Sequence, residues 1–233
     1  MTKKIKIKKE IIETPRLMVD IVLFKVIDNT LKLLLIRRGV KPFKNMWALP
    51  GGHVDKNEAL EKAAFRELEE ETGVKNIYLE QLYTFGDPYR DPRGRAISVA
   101  YFALGESGQK FHLKSATDAA EVDWFSVKKL PRLAFDHKKI INYALKRLCW
   151  KLEYTNIARN LLPKLFTLSE LQKTYEVVLG KKIDKRNFRK KIVALNLIKP
   201  IKKQKKNVAY RPPQLWTFVA GKNLILDKRE LIF

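Results

Sequence analysis

The chain has 233 residues, enough for one or two domains, and its 45% hydrophobic and 10% aromatic residues exclude a wholly disordered protein. Forty-eight Lys and Arg residues against 25 Asp and Glu residues give a formal net charge of +23, which favours a polyanionic partner, either nucleic acid or an anionic membrane. The single cysteine, Cys149, excludes an intrachain disulfide framework, and it has no cluster of Cys and His residues beside it to indicate a zinc site.

The N-terminal segment is basic, but no apolar core follows it, so it does not have the pattern of a secretory signal. The apolar stretch 19–38 is interrupted by charged side chains, among them Asp20 and Lys25. This pattern predicts two strands around the turn Asp28-Asn29 and is too polar for a membrane-spanning helix. We therefore expect a cytoplasmic protein with no membrane partner.

The first part of the chain alternates between predicted strands and helices. The expected strands are 18–26, 31–38, a short strand from residue 47 into a Pro/Gly loop, 77–85, 96–104 and 121–125. A helix is expected over 58–72, which contains no Gly or Pro, with Gly73 ending it, and a second over 137–154. This plan is typical of an α/β layered fold.

The second part is predicted to be helical first and extended last. Thr167 and Glu170 form a capping-box pattern for a helix that ends at Gly180, and Asp184 caps a second helix that ends near Asn196. We expect a basic loop over 199–211 and a closing strand over 214–219. Two helices followed by a basic hairpin are typical of a winged helix-turn-helix domain.

The strongest chemical signal is an acidic cluster in the first predicted helix. Glu67, Glu70 and Glu71 occupy positions i, i+3 and i+4, so they share one helix face. Like charges placed in this way repel by about 0.2–0.5 kcal/mol per pair, and we expect a cation to offset them. Oxygen ligands suit Mg²⁺ or Mn²⁺. Taken alone, however, an acidic run on a helix is usually only a solvated face.

The longer pattern around the cluster decides between these interpretations. Gly52 is followed by five residues, Glu58, seven residues and then Arg66-Glu67-Leu68-Glu69-Glu70-Glu71-Thr72-Gly73-Val74. This pattern looks like the Nudix box and matches it without departure. The resemblance to the Nudix superfamily covers roughly residues 17–150. It implies an α/β/α sandwich with a mixed sheet between helices, and substrates in which a nucleoside diphosphate is linked to a second group.

The resemblance also implies a role for each residue of the box. Glu67, Glu70 and Glu71 resemble the metal-binding and catalytic glutamates, and Arg66 resembles the arginine that orients them. The carbonyl of Gly52 is a further candidate metal ligand. The implied reaction is attack of water on a pyrophosphate, with divalent ions neutralising the developing charge.

The box does not identify the base that activates the water. Asp118 and Glu121 are expected near the later loop before Trp124, where some relatives place such a base. Both residues are equally well explained as ordinary loop carboxylates. We list them as catalytic candidates on the resemblance alone.

Arginines and aromatic residues outside the box, all but one of them after it, are candidates for binding the nucleotide. Guanidinium groups pair with phosphates, and aromatic rings stack on adenine. The candidates are Arg37, Tyr83, Phe85, Tyr89, Arg90, Arg93 and Arg95. The segment 83–101 is similar to the ADP-ribose-handling branch of the family, and so is the segment 133–137. The alternative is that Arg93 and Arg95 only keep a hairpin soluble.

The basic second part of the chain is a candidate DNA-binding surface. Residues 1–150 carry a formal charge of +9, whereas the shorter segment 151–233 carries +14. A helix entering a major groove and a wing reaching the backbone would bring these charges to phosphates. The candidates are Lys182, Lys185, Arg186, Asn187, Arg189, Lys190, Lys203, Lys205 and Arg211. Solvation of a lysine-rich surface is the alternative explanation.

A Nudix-like first part followed by a winged-helix-like second part resembles the Nudix-related transcriptional regulators of NAD metabolism, and this resemblance covers almost the whole chain. It implies a Nudix domain over residues 1–154 and a winged helix over residues 155–233. The resemblance implies a repressor of NAD biosynthesis or salvage genes that binds an operator in double-stranded DNA, takes ADP-ribose as its signal and is commonly a homodimer. One departure is the wing segment 208–210, which is less glycine-rich than in that family.

Two functions therefore remain open. The first is a DNA-binding regulator whose Nudix domain senses ADP-ribose or a related nucleoside diphosphate. The second is an ADP-ribose pyrophosphatase whose basic tail is accessory, and the intact box allows the two to coexist. A regulator that senses a sugar such as arabinose is a third possibility, which the intact box and the arginine-rich loop disfavour.

Overall fold

A computed structural model describes residues 14–113, 119–204 and 213–219. The first part of the chain forms a seven-stranded mixed sheet. Its strands are β1 (Arg16–Ile27), β2 (Thr30–Arg38), β3 (Trp47–Ala48), β4 (Gly51–His53), β5 (Tyr78–Phe85), β6 (Ala96–Gly105) and β7 (Ala119–Ser126). The order is β3-β2-β1-β6-β5, with β4 paired to β1 and β7 paired to β2. The central strand β1 runs parallel to β6 and antiparallel to β2 and β4.

Two helices, α1 (Leu60–Thr72) and α2 (His137–Tyr154), cover the sheet on opposite faces. Alternate residues of β1 point to opposite sides of the sheet. Ile21 packs in the cluster that contains Leu68 of α1, whereas Val22 packs in the cluster that contains Ile141 of α2. The α/β/α layering predicted from the sequence is therefore confirmed.

Local signals placed most element ends correctly. Asp28 and Asn29 both have positive φ angles, as a two-residue hairpin turn requires. Gly73 ends α1 in the left-handed conformation, and its N–H bonds to the carbonyl of Glu69. The strand β4 was not predicted as a separate element. Its three residues pair with β1, and nothing in so short a Gly-containing segment indicates that pairing.

The second part of the chain forms a winged helix-turn-helix domain. A short 3₁₀ helix (Ile157–Asn160) is followed by α3 (Leu168–Leu179), α4 (Lys185–Ala194), β8 (Ile198–Gln204) and β9 (Gln214–Phe218). The capping box of α3 is present, because Thr167 Oγ1 accepts from the N–H of Glu170 at 3.1 Å and Glu170 Oε2 accepts from the N–H of Thr167 at 2.7 Å. Asp184 caps α4 by accepting from the N–H of Asn187 at 2.7 Å.

Three predictions for this domain differ from the structure. The segment 199–211 was expected to be a loop, but residues 198–204 form β8, antiparallel to β9. Ile198 and Ile201 lie opposite Phe218 and Leu215 in the pairing register. Pairing with β9 therefore stabilises an extended conformation in a lysine-rich segment. The helix α4 ends at Ala194, two residues before the expected end, and the short 3₁₀ helix was not expected.

The two domains share one hydrophobic core. It extends from Phe24 in the sheet through Ile141 and Leu152 of α2 to Leu171 and Phe188 of the winged helix, all with no solvent exposure. The N–H of Ser107 also donates to the carbonyl of Leu161 at 3.1 Å. Thus α2 belongs to both domains. Among the described residues, no helix combines the length and apolarity that crossing a membrane requires.

Because the core is continuous, we expect Leu152→Ala to destabilise both domains together. Truncating a fully buried leucine costs about 2–5 kcal/mol. Urea unfolding followed by circular dichroism and by tryptophan fluorescence should show one transition at lower urea. Leu17→Ala, at a side chain that is 41% exposed, is the matched control and should change little. Two separate transitions, one for each domain, would contradict a shared core.

Candidate functional site

The acidic face of α1 lies against the loop that joins β3 to β4. Glu67 is largely enclosed, with 13% of its side chain exposed, whereas Glu70 is 57% exposed. Desolvation is the largest cause that raises the pKa of the Glu71 carboxyl to about 8; the N–H of Gly51 opposes it, and the neighbouring carboxylates of Glu67 and Asp20 add to the rise. Desolvation likewise raises the pKa of Glu67. Glu67 and Glu71 therefore lie where water solvates a carboxylate charge poorly, whereas Glu70 remains exposed.

Arg66 is the cation that compensates these carboxylates. Its Nε and Nη2 donate to the two oxygens of Glu58, each at 2.9 Å, and its Nη1 donates to Glu67 at 2.9 Å and to Glu70 at 3.1 Å. A second bond from Nη2 reaches the carbonyl of His53 at 2.9 Å. These bonds, that with Glu58 above all, raise the pKa of Arg66. Arg66 therefore joins the helix, the preceding loop and β4 through one guanidinium group.

Two glycines at the start of β4 allow the backbone that follows the loop to approach the acidic face of α1. The N–H of Gly51 donates to Glu71 Oε2 at 2.8 Å, and a Cβ at Gly51 would lie 2.1 Å from the carbonyl oxygen of Val19. A Cβ at Gly52 would lie 2.3 Å from Glu67 Oε1. Any other residue at either position would displace β1 or the carboxylate.

The donor chemistry at this face fits a divalent cation, although no metal geometry is formed. Three carboxylates supply only oxygen, the donor type that hard cations prefer. Among the described residues, no three Asp, Glu, His or Cys side chains are gathered around one point. Glu67 and Glu70 are instead turned to Arg66, and Glu71 is turned to Gly51. Glu67, Glu70 and Glu71 remain the residues that would hold the ion.

The base candidates are only partly described. Glu121 lies on β7 opposite Arg37 of β2, and Arg37 Nη1 is 3.3 Å from its carboxylate. Both side chains are about half exposed. A candidate base and a candidate ligand-binding arginine thus form a surface ion pair with each other. Asp118 lies outside the described residues.

The loop between β5 and β6 carries most of the expected ligand-binding residues. Arg93 pairs with Asp91 at 2.8 Å, and Arg95 closes the loop by donating to the carbonyl of Gly86 at 2.6 Å. Tyr89 is 96% exposed and contributes no packing. Arg93 also lies 5.7 Å from the ring centre of Phe135, just before α2. The loop therefore presents Arg93 and Tyr89 at the surface.

Arg90 differs from the expectation of a ligand-binding residue. Only 5% of its side chain is exposed, and its guanidinium lies 3.1 Å from Asp20 and 2.8 Å from Asp136. Two carboxylates already satisfy it inside the protein. The sequence showed an arginine in an arginine-rich loop, whereas the structure gives it a buried ion-pair partner on β1 and another at the start of α2.

Tyr83 and Phe85 lie on the α2 side of the sheet. Tyr83 stacks on Tyr143 of α2 with ring centres 5.0 Å apart, and Phe85 packs edge-on against both rings. Phe85 is buried, whereas Tyr83 is 52% exposed. Of the two, Tyr83 has an accessible ring face.

Sequence reasoning assigned no role to four residues near the acidic cluster, although two of them lie in the segment 133–137 that resembles the ADP-ribose-handling branch. Asp20 on β1 and His137 on α2 are buried and 3.4 Å apart, Asp136 binds Arg90, and Arg38 lowers the pKa of Glu71. One signal was available, since Asp20 interrupts an otherwise apolar strand. A lone charge in a buried strand requires a partner, but the sequence does not identify it.

The helix α4 presents the residues expected to contact DNA. Those that are exposed are Lys182, Lys185, Arg186, Asn187 and Lys190. Arg189 is half-buried, with its Nη2 bonded to Ser169 Oγ at 3.2 Å, and among the described residues its Nε is a buried nitrogen without a hydrogen-bond partner. Lys203 lies on β8, and its side chain lies outside the described part of the structure. Lys205 and Arg211 lie outside the described residues altogether.

Family models match both parts of the chain. The NUDIX domain matches residues 16–144, and the NrtR DNA-binding winged helix domain matches residues 158–218. The chain is 37% identical over 209 residues to the ADPR responsive transcriptional repressor NtrR of Acinetobacter baylyi, covering 88% of this chain and 82% of that relative.

Solved structures show the same architecture. Shewanella oneidensis NrtR complexed with a 27mer DNA superposes with a TM-score of 0.76 at 36% identity, covering 87% of this chain and 93% of that one. The NUDIX domain of the same protein complexed with ADP ribose gives a TM-score of 0.55 at 37% identity, covering 61% of this chain and 94% of that one.

The raised pKa of Glu71 predicts how the stability of the metal-free protein depends on pH. The carboxyl titrates near 4.5 in the unfolded chain and near 8 in the folded protein, so between these values the folded state binds more protons. Its contribution to stability therefore falls as pH rises, by at most about 1.4 kcal/mol per pH unit.

Glu71→Gln keeps an acceptor for the N–H of Gly51 but does not titrate. In urea unfolding with a chelator present, this variant should gain stability relative to the wild type between pH 5 and pH 8. Glu61→Gln, at an exposed glutamate of the same helix, should show no such trend. A constant stability difference across this range would show that Glu71 is ionised in the folded protein.

Proposed function

The chain belongs to the NrtR family of proteins with a NUDIX domain and an NrtR DNA-binding winged helix domain, and from this premise we propose that it is an ADP-ribose-responsive transcriptional repressor. We assign the NUDIX domain to residues 1–154 and the winged helix to residues 155–233. The observation that carries the proposal is the similarity to the Acinetobacter repressor, which extends across both domains. The genes we propose as targets are those of NAD biosynthesis or salvage.

We propose that the nucleotide binds between the acidic face of α1 and the loop between β5 and β6. Arg93 and Arg95 supply cations for the two phosphates, and Tyr89 offers a ring face for an adenine. Tyr83 and Phe85 pack on the α2 side of the sheet, opposite α1, so we do not assign them to this pocket, and Arg37 adds a further cation from β2. The exposure of Arg93 and Tyr89 supports this assignment.

The complete acidic cluster supports a second activity, hydrolysis of ADP-ribose to AMP and ribose 5-phosphate. Nudix proteins use divalent cations, and we propose Mg²⁺ or Mn²⁺ held by Glu67, Glu70 and Glu71 with the Gly52 carbonyl nearby. The ion, when bound, neutralises charge on the pyrophosphate. Arg66 orients two of the carboxylates, and the N–H of Gly51 orients the third. A carboxylate, Asp118 or Glu121, takes a proton from the attacking water.

Water adds to one phosphorus, and the bridging oxygen leaves with the other phosphate. The alternative function is that this hydrolysis is the principal activity and that the basic domain is accessory. The ordered helix-turn-helix and its shared core with the NUDIX domain favour the regulator. We further propose that the protein is a cytoplasmic homodimer.

We propose that DNA binds along α4, with Arg186, Asn187 and Lys190 nearest the base edges. Arg186 and Asn187 are exposed in the first turn of the capped helix, which is the end that enters the major groove in helix-turn-helix proteins, and Lys190 is exposed one turn further along. We assign Lys182 and Lys185 to the flanking phosphates, and on the resemblance to the family we add Lys203, Lys205 and Arg211 of the wing segment as candidates. Arg189 is half-buried and bonded to Ser169, so its expected contact with DNA would require that bond to break.

The deciding experiment is a fluorescence-anisotropy titration at physiological salt with DNA from upstream of the protein's own operon, with and without ADP-ribose. The same samples are assayed for AMP release with Mg²⁺. We expect sequence-specific binding that ADP-ribose weakens. Binding that ignores both sequence and ligand, together with rapid AMP release, would instead identify a hydrolase with a basic accessory domain.

Within this assay, Glu70→Gln should abolish AMP release because it replaces a metal-binding carboxylate with a neutral amide. DNA affinity should be unchanged, since Glu70 lies on α1 and contacts Arg66. Glu69→Gln, one residue away, contacts Lys75 and serves as the control. Hydrolysis that persists in the Glu70 variant would rule out the assigned metal site.

The double variant Arg186→Ala, Lys190→Ala should weaken DNA binding and leave nucleotide turnover unchanged. Each lost phosphate contact lowers the slope of log affinity against log salt by about 0.9, and each lost base contact costs about 1–3 kcal/mol of discrimination. Lys138→Ala, Lys146→Ala on α2 removes the same charge elsewhere. Equal affinities for the two double variants at moderate salt would remove α4 from the DNA interface.

A further inference from the structure

Polar side chains from four separate segments form a buried cluster beside the acidic site. Asp20 Oδ2 accepts from Ser98 Oγ at 2.5 Å and from Arg90 Nη2 at 3.1 Å, and Arg90 Nη2 also donates to Asp136 at 2.8 Å. Asp20 and Arg90 have less than 10% of their side chains exposed. Buried charges persist only when they are paired, and a fully paired network holds its members in one arrangement.

His137 connects this cluster to the backbone of residues 49–52, the glycine loop, which runs from the end of β3 into the first two residues of β4. Its Nδ1 accepts from the N–H of Leu49 at 2.8 Å, and its Nε2 lies 3.4 Å from Asp20 Oδ1. A neutral imidazole has one acceptor and one donor. Since Nδ1 accepts, Nε2 carries the proton and faces the carboxylate. Burial lowers the pKa of His137, in agreement with the neutral form.

Leu49 is the first residue of the segment that reaches the acidic face. The next carbonyl, that of Pro50, accepts from the N–H of Ile21 at 2.8 Å. The following N–H, that of Gly51, donates to Glu71 Oε2 at 2.8 Å, and Gly52 then lies against Glu67. A single residue, Pro50, therefore separates the imidazole contact at Leu49 from the Glu71 contact at Gly51, and Pro50 is itself bonded to β1.

We propose that His137 is a positioning residue for the acidic site: with Asp20 behind it, the imidazole holds the N–H of Leu49 and thereby sets the N–H of Gly51 on Glu71. The cluster of Asp20, Arg90 and Asp136 fixes the imidazole. The effect on hydrolysis rests on the proposed function, whereas the effect on the loop backbone does not.

The backbone effect is measured by hydrogen exchange of individual amides in the full-length, metal-free protein. His137→Leu removes the acceptor, and exchange at Leu49 and Gly51 should accelerate about fivefold or more. In His137→Asn, the side-chain oxygen takes the place of Nδ1 and should retain the protection. Exchange at amides of the central strands reports the global stability of the protein, and it should not accelerate together with exchange at Leu49 and Gly51. His112→Leu, at an exposed histidine, is the matched control.

His137→Gln places its amide near the position of Nε2 and leaves Leu49 without an acceptor, so it replaces the Leu variant if that protein does not fold. Unchanged protection of Leu49 and Gly51 in the folded Leu or Gln variant overturns the proposal. Equal loss in the Asn and Gln variants overturns it as well, because the position of the acceptor would then be irrelevant.

The kinetic effect is measured on the same variants with ADP-ribose and Mg²⁺. We expect kcat to fall in His137→Leu with little change in KM, and His137→Asn to restore most of it, while DNA affinity stays at the wild-type value. Loss of protection with kcat unchanged would overturn the positioning role. If the wild-type protein releases no AMP, the proposed hydrolysis fails, and loss of protection in the Leu variant still establishes the contact of His137 with the loop.

Discussion

Charge compensation by Arg66 is the constraint on which the rest of the site depends. Glu67 and Glu70 lie on the same face of α1 close to Glu58, and Glu67 is enclosed where solvent screens its charge poorly. One guanidinium contacts Glu58, Glu67 and Glu70 together and also bonds the backbone at His53. A lysine could not make this set of bonds, because its single ammonium lacks the planar arrangement of five donors.

The loop between β3 and β4 is held from both of its sides. On one side, at the start of β4, the N–H of Gly51 bonds to Glu71 and the missing side chain of Gly52 leaves room for Glu67. On the other side a buried imidazole and β1 hold Leu49 and Pro50. The two glycines and the buried histidine therefore act on the same segment of backbone. The glycines permit the close approach, and the histidine fixes where the approach happens.

The sequence predicted what local signals determine and missed what folding brings together. The box, the end of α1 at Gly73 and the capping box at Thr167 are local, because each partner lies within a few residues. Arg90 is 70 residues from Asp20 and 46 from Asp136, and His137 is 88 from Leu49. No periodicity encodes such distances, so Arg90 looked like a ligand-binding residue. The strand β8 was missed for the same reason, because its lysine-rich sequence is extended only through pairing with β9.

The position of α2 bears on how two sites on one chain can affect each other. Its first residue contacts the glycine loop, and its last turns lie in the core shared with α3. The helix α2 packs in the core that the two domains share and is therefore not a flexible linker between them. By whatever factor a bound ligand changes DNA affinity, DNA changes the affinity for that ligand by the same factor. Hydrolysis of the ligand would end that coupling by removing the ligand.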